Sequence, residues 1–243
     1  ILPPTEVWVD DDWDDQGDVD IYDDSLAWEY NAWDTIQEGI DAVAASAVHV
    51  LPAAADYVSF TISKNNIEVL GEDGAVVDGG CLIDAANATG IVVDNLVFHG
   101  TVQCHCNDTN DVTLSNLEVI GSATNGIDIR TGIPNATVYI DNPVIHGCNN
   151  GIYVENDSVV VTNPNIYECS TGIYAYQTYG SIVSVTGGSI ASCSDAGIYA
   201  SSSTITVAGT EISHTGATTA LEPEGSLRAG IYVGQYVNAT VNN

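Results

Sequence analysis

Apolar and polar side chains alternate along most of this chain in runs of only a few residues, with Gly, Asn, Ser or Cys between one run and the next. Alternation with a period of two is the pattern of strands that bury one face. Within one repeat the runs come in threes, as in "TVYI" (137–140), "PVIH" (143–146) and "GIYV" (151–154). The triplet returns with a Gly-Ile dipeptide at Gly126, Gly151, Gly172, Gly197 and Gly230. Spacing of 20 to 35 residues marks units that cannot bury their apolar faces alone and must stack on their neighbours. Three strands and three turns per unit predict one coil of a parallel β-helix, an all-β, single-stranded solenoid.

The coils align at all three runs. "VTLSNLEVIGSATNGIDIR", "ATVYIDNPVIHGCNNGIYVE", "SVVVTNPNIYECSTGIYAY" and "SIVSVTGGSIASCSDAGIYAS" superpose, and "STITVAGTEISHTG" opens a further coil carrying the insert "ATTALEPEGSL". Less regular coils precede them, for a total of about seven or eight. The one helical pattern is "AWDTIQEGIDAVAAS" (32–46), where Ile36, Ile40 and Val43 share a face and Asp34 is the expected N-cap with Gln37 three residues on. A solenoid needs its first coil covered, so this helix is expected to cap the N-terminal end. The organisation read from the sequence is an acidic segment (1–31), a capping helix (32–46) and a β-helix (47–243), together one domain.

"VWVDDDWDD", "AWDTIQEGIDAVAAS", "VHVLPAAADYVSFTISKNNIEVLGEDG" and the Gly-Ile coils together resemble the right-handed parallel β-helix proteins of the pectin-lyase-like superfamily. Within it the chain is most similar to repeat-bearing surface proteins secreted by archaea, including those of cell sheaths. The resemblance implies a right-handed coil and a structural, self-assembling role at a cell surface. The same fold also carries polysaccharide lyases and hydrolases and carbohydrate-binding adhesins, so function must be argued from a site.

Charge narrows the partners. The formal net charge is −30, with 33 acidic residues against only Lys64, Arg130 and Arg228. So little base leaves nothing to neutralise phosphates, which argues against nucleic acid and against an anionic membrane surface. No uninterrupted apolar span predicts membrane insertion. The acidity suits surroundings where carboxylates are screened by salt, bridged by calcium or protonated, although a mean hydropathy of +0.11 is high for a chain solvated by acid alone. A start at Ile1 with no Met in the chain fits a processed, secreted protein. Five sequons, at Asn87, Asn107, Asn135, Asn156 and Asn238, point to the same extracellular setting.

Candidate chemistry follows from the alignment of coils. Strand alternation turns Ile152 and Val154 inward and Tyr153 and Glu155 outward. Stacking then forms an outward ladder of Asp128, Tyr153, Tyr174, Tyr199 and Tyr232, flanked by Arg130, Glu155, Tyr176 and Ser201. Such a ladder either stabilises the sheet, makes a lateral contact with another copy, or stacks on sugar rings. If the protein is an enzyme, Arg130 is the candidate base of a lyase beside Asp128 and Glu155, and the two carboxylates are the candidate pair of a hydrolase. The glycines at the third strands allow either positive φ or a close approach of coils.

Six cysteines, Cys81, Cys104, Cys106, Cys148, Cys169 and Cys193, suggest disulfides in a secreted chain, with fifteen pairings open. Cys148, Cys169 and Cys193 fall at one corner of successive coils. "HGTVQCHC" offers His99, Cys104, His105 and Cys106 as soft ligands, but at a spacing unlike a zinc knuckle. In "DDDWDDQGDVDIYDD" the residues Asp12, Asp14, Asp18, Asp20 and Asp23 approximate a calcium loop, with a solvated acidic loop as the alternative.

Overall fold

The computed structural model describes residues 2–72, 74–84, 89–105, 110–130, 137–176, 181–213, 229–233 and 238–242. The alternating runs become short strands in about eight turns of a parallel β-solenoid. Every strand pairs in parallel with its counterpart one coil away. From Thr89 onward each full coil contributes one strand to each of three faces, whereas Val76–Ile83 runs as a single strand across the second and third. The coil from 137 supplies Thr137–Asp141 to the first face, Val144–His146 to the second and Asn150–Glu155 to the third.

Register is fixed by identical or similar side chains stacked in inward columns. Val112, Val138, Val159, Val183 and Ile205 stand over one another on the first face. Val119, Ile145, Ile166 and Ile190 do so on the second, and Ile127, Ile152, Ile173 and Ile198 on the third. All of these are buried. Each such side chain contributes about 1.5–3 kcal/mol, and a slip of one residue would turn a whole column outward.

The corner between the first and second faces is built from asparagine. Asn95, Asn116, Asn142 and Asn163 all have φ between 49° and 56°, in the left-handed region that Asn tolerates better than most residues. Their side chains bond from coil to coil: Asn163 Nδ2 donates to Asn142 Oδ1 and Asn142 Nδ2 to Asn116 Oδ1, both at 3.2 Å, and Asn116 Nδ2 donates to Asp94 Oδ1 at 2.8 Å. The ladder satisfies amide groups that would otherwise compete with the turn.

The acidic segment 1–31 contributes to the solenoid itself. Glu6–Val9 is a strand of the first face, lying between Ala32–Trp33 and Ala47–Val50. Two helices occur among the described residues. The first, α1 (Gln16–Tyr22), was not expected. Asp15 caps it by accepting from the Gly17 amide at 2.6 Å, and Gln16 ties it to the backbone of Leu26 and Trp28. Its one buried residue, Val19, packs with Trp13, Leu26, Ala32 and Leu51.

The second helix, α2 (Ile36–Ala42), is shorter than 32–46, because Ala32–Trp33 is drawn into the sheet and Val43 is already extended. Its N-cap is Thr35, not Asp34. Thr35 Oγ1 accepts from the Glu38 amide at 3.2 Å and donates to the Glu38 carboxylate at 2.8 Å. Ile36, Ile40 and Val43 are buried, and Gly39 lies close against Val7, Val9 and Val48 of the first coils. Among the described residues, no helix is long and apolar enough to cross a membrane.

Candidate functional site

The third face brings the tyrosines into register as the alternation requires: Asp128 opposite Tyr153, then Tyr174, Tyr199 and Tyr232. The rings are stacked. Centroids lie 5.6, 4.6 and 4.8 Å apart along the series, with planes 10°, 9° and 22° from parallel. Each pair adds roughly 0.5–1.5 kcal/mol beyond the area it buries. The aromatic faces are therefore occupied by one another, and solvent meets a ridge of ring edges and phenol groups. Stacking of sugars is blocked on the ring faces that lie within the series. Tyr176, more exposed, stands beside the ridge and outside the stack.

Arg130 closes one end. Its guanidinium carbon lies 4.9 Å from the centroid of Tyr153, continuing the stack as a cation on a ring face. The same guanidinium holds Asp128 in two bonds, Nε to Oδ1 at 2.7 Å and a second nitrogen to Oδ2 at 2.8 Å. Asp128 is buried and also accepts from Asn125 Nδ2 at 2.8 Å, while Asn125 accepts from Asn150 at 2.9 Å. The bond to Asp128 raises the Arg130 pKa above its ordinary value. A guanidinium so held is a structural cation, poorly suited to abstract a proton.

Glu155 accepts from the Tyr153 phenol at 3.2 Å. Burial first, then the Glu155 charge and this bond, pushes that phenol up to about 12, and burial also raises Tyr174. The three residues singled out for catalysis are thus together, but Arg130 and Asp128 are paired to each other and Glu155 is paired to Tyr153.

Further along the same face toward the N-terminus lies an open groove of about 290 Å³, lined by Ser59, Thr61, Gly80, Thr101 and Gln103 among others. Its polar groups are neutral hydroxyls and one amide. His99, beside it in sequence, is 3.6 Å from the Asp56 carboxylate.

At the corner before the third face, Cys148, Cys169 and Cys193 are thiols, all buried. Ser122 and Thr101 hold the equivalent positions of the two preceding coils, their hydroxyls 2.9 Å apart. Contact with Cys169, with help from the Ser122 and Gly121 amides, lowers the Cys148 thiol to about 7; the same contact pushes Cys169 up. Cys81 and Cys104 face the core on neighbouring strands, two residues out of register. Cys106 lies outside the described residues, as do Arg228, Asn87, Asn107 and Asn135. Asn156 occupies a left-handed turn and Asn238 opens the last strand of the first face.

The carboxylates chosen as a calcium loop do not converge. Helix α1 runs through the stretch, so Asp18 accepts from the Asp14 amide, Asp20 from Gln16 Nε2 and Asp23 from the Ser25 amide. Asp12 groups instead with Asp10 and Asp11, whose oxygens lie within 4.8 Å of one another. Among the described residues these three form the group that could hold a hard cation. Burial and the neighbouring charges raise Asp10 and Asp11 above the usual carboxylate range.

Sequence reasoning missed the asparagine corner and the Thr101–Ser122 start of the thiol corner, although both recur in the sequence at the coil spacing. A family described as the right-handed β-helix region matches residues 101–243. No curated protein and no solved structure matches the chain.

Proposed function

The chain belongs to the right-handed β-helix family, and on that premise we propose that it is a secreted structural protein that assembles with copies of itself at a cell surface, in the manner of a sheath or surface layer. The observation that carries this reading is the ridge of Tyr153, Tyr174, Tyr199 and Tyr232, four stacked rings with one phenol per coil. A ridge that repeats at the strand spacing is matched by the repeating surface of another copy, and tyrosine is among the residues enriched at protein contacts. Acidic surfaces of adjoining copies would be bridged by calcium or screened by salt, with Asp10, Asp11 and Asp12 as the densest carboxylate group.

Light scattering of the purified chain across concentration, with and without calcium, tests the reading. Assembly is expected for the native chain, and its loss is expected when Tyr174 and Tyr199 become Phe, which preserves stacking and removes the phenols. A native chain that stays monomeric throughout, or a Phe variant that assembles equally well, would overturn it.

A second reading, a carbohydrate-binding or carbohydrate-processing protein, rests on the groove at Ser59, Thr61, Thr101 and Gln103, whose hydroxyls and amide suit sugar hydroxyls. Binding or cleavage of a polysaccharide that is lost in Gln103→Ala would favour it over assembly.

A further inference from the structure

The corner that precedes the third face continues the ladder of strands. Ile120, His146, Tyr167 and Ala191 end successive strands of the second face in register, and Ser122, Cys148, Cys169 and Cys193 each follow two residues later. Backbone bonds carry the pairing around the turn: the Ser170 amide donates to the Cys148 carbonyl at 3.1 Å and the Ser194 amide to the Cys169 carbonyl at 2.9 Å. Neighbouring coils are therefore about 4.8 Å apart at these residues, inside the Cα range of roughly 4.4–6.8 Å that a disulfide requires. Cys148 and Cys193 are two coils apart, about 9.6 Å by the same spacing, and beyond reach of each other.

All three sulfurs point the same way. Each thiol lies 3.5 Å from the carbonyl two residues earlier, of His146, Tyr167 and Ala191 respectively. Room beside them comes from the glycines of the third strands. A Cβ on Gly126 would stand 3.2 Å from the Cys148 sulfur, and one on Gly172 would stand 3.4 Å from that of Cys193. The thiols are only 1–4% exposed, so the corner favours a neutral product over a buried thiolate.

We propose that Cys148, Cys169 and Cys193 are an oxidation site at which the central Cys169 bridges to one neighbouring coil while the third sulfur stays reduced. The oxidant is a small peroxide, close to water in size. One thiolate attacks the peroxide, becomes a sulfenic acid and releases hydroxide, which takes up a proton as water. The neighbouring thiol then attacks that sulfur, the S–S bond forms, and a second water leaves, so two thiols and one hydrogen peroxide give one disulfide and two waters. Cys148, the most exposed of the three and lowered by its contact with Cys169, is the first nucleophile. Once Cys148 and Cys169 are joined, attack by Cys193 on the Cys169 sulfur expels the Cys148 thiolate and moves the bridge by one coil.

The inference is independent of the assembly reading and is tested on the folded chain. Hydrogen peroxide is added near neutral pH, remaining thiols are alkylated, and the unfolded protein is cut with chymotrypsin. Cleavage after Tyr153, Tyr167 and Tyr176 places the three cysteines on separate peptides for mass spectrometry without reduction. Linked Cys148–Cys169 or Cys169–Cys193 peptides are expected, with none linking Cys148 to Cys193. Cys169→Ser removes every bridge at the corner, whereas Cys148→Ser and Cys193→Ser each keep one. A Cys148–Cys193 link, a bridge from this corner to Cys81, Cys104 or Cys106, or oxidation of Cys148 to higher acids with no bridge would overturn the proposal. The mapping of the native chain decides the matter even if a serine variant folds poorly.

Discussion

Replacing Gly151 with Ala places a methyl where the coils touch. Its Cβ would stand 2.6 Å from the Gly172 carbonyl oxygen and 2.6 Å from Ile166 Cγ2, against 3.4 Å for the start of ordinary contact. The next coil would have to retreat by about 0.8 Å at a point where backbone blocks the way together with the packed Ile166 side chain. Forcing an extra methyl into packed structure costs about 1–3 kcal/mol, and this site belongs at the top of that range because the neighbouring ring stack must part as well. Gly121 is the control: its φ is +68° and a Cβ there meets nothing within 4 Å, so Ala costs only the left-handed backbone, about 1–2 kcal/mol. Asn should recover part of that loss at Gly121, yet be worse than Ala at Gly151. Urea unfolding followed by far-UV circular dichroism measures all four variants. If Gly151→Ala unfolds no earlier than Gly121→Ala, or Gly151→Asn is the milder change, the close-approach account of the repeat glycines is wrong.

Lys64 Nζ donates to the carbonyls of Ile40, Asp41 and Val43 at 3.1, 2.8 and 3.0 Å, so Lys64→Met, which leaves the end of α2 unsatisfied, should cost about 2 kcal/mol in the same urea assay. Asn142→Gly keeps the left-handed turn but removes both ladder bonds, and Asn142→Ala loses the turn as well; midpoints should fall in the order native, Gly, Ala. The Tyr153 phenol has a folded pKa of about 12 against an ordinary 10, so its contribution is complete below pH 10 and is lost as pH rises toward 12. Phenolate absorbance should therefore report Tyr153 late in an alkaline titration, and Glu155→Gln should bring it earlier.

Much of the fold was legible because the solenoid repeats its own constraints. Gly-Ile at each third strand and the alternating run around Tyr153 fix which side chains face in, and stacking in register then places Tyr174, Tyr199 and Tyr232 without further information. The cap of α2 was misread by one residue because Asp34 with Gln37 and Thr35 with Glu38 carry the same spacing. The choice depends on where the Ala32–Trp33 strand ends, which is a tertiary fact. Helix α1 has only Val19 buried, so it leaves almost no periodic signal; it is held by Gln16 reaching Leu26 and Trp28. Counting carboxylates from Asp12 as ligands assumed an open loop, and that helix turns Asp18 and Asp20 to other partners. The pairing of Arg130 with Asp128 was open in the sequence, where the same residues fitted a catalytic base and its neighbours.

The four stacked rings also make the molecule its own optical gauge. The four tryptophans, Trp8, Trp13, Trp28 and Trp33, all lie at the opposite end of the chain from the tyrosine series. Excitation absorbed by one tyrosine of the ridge can pass to the next, and the coupled transitions give a circular dichroism signal in the near ultraviolet that depends on ring spacing. Parting of two coils anywhere between Tyr153 and Tyr232 would alter that signal before any strand is lost, so the distance between rungs could be read in solution without a label.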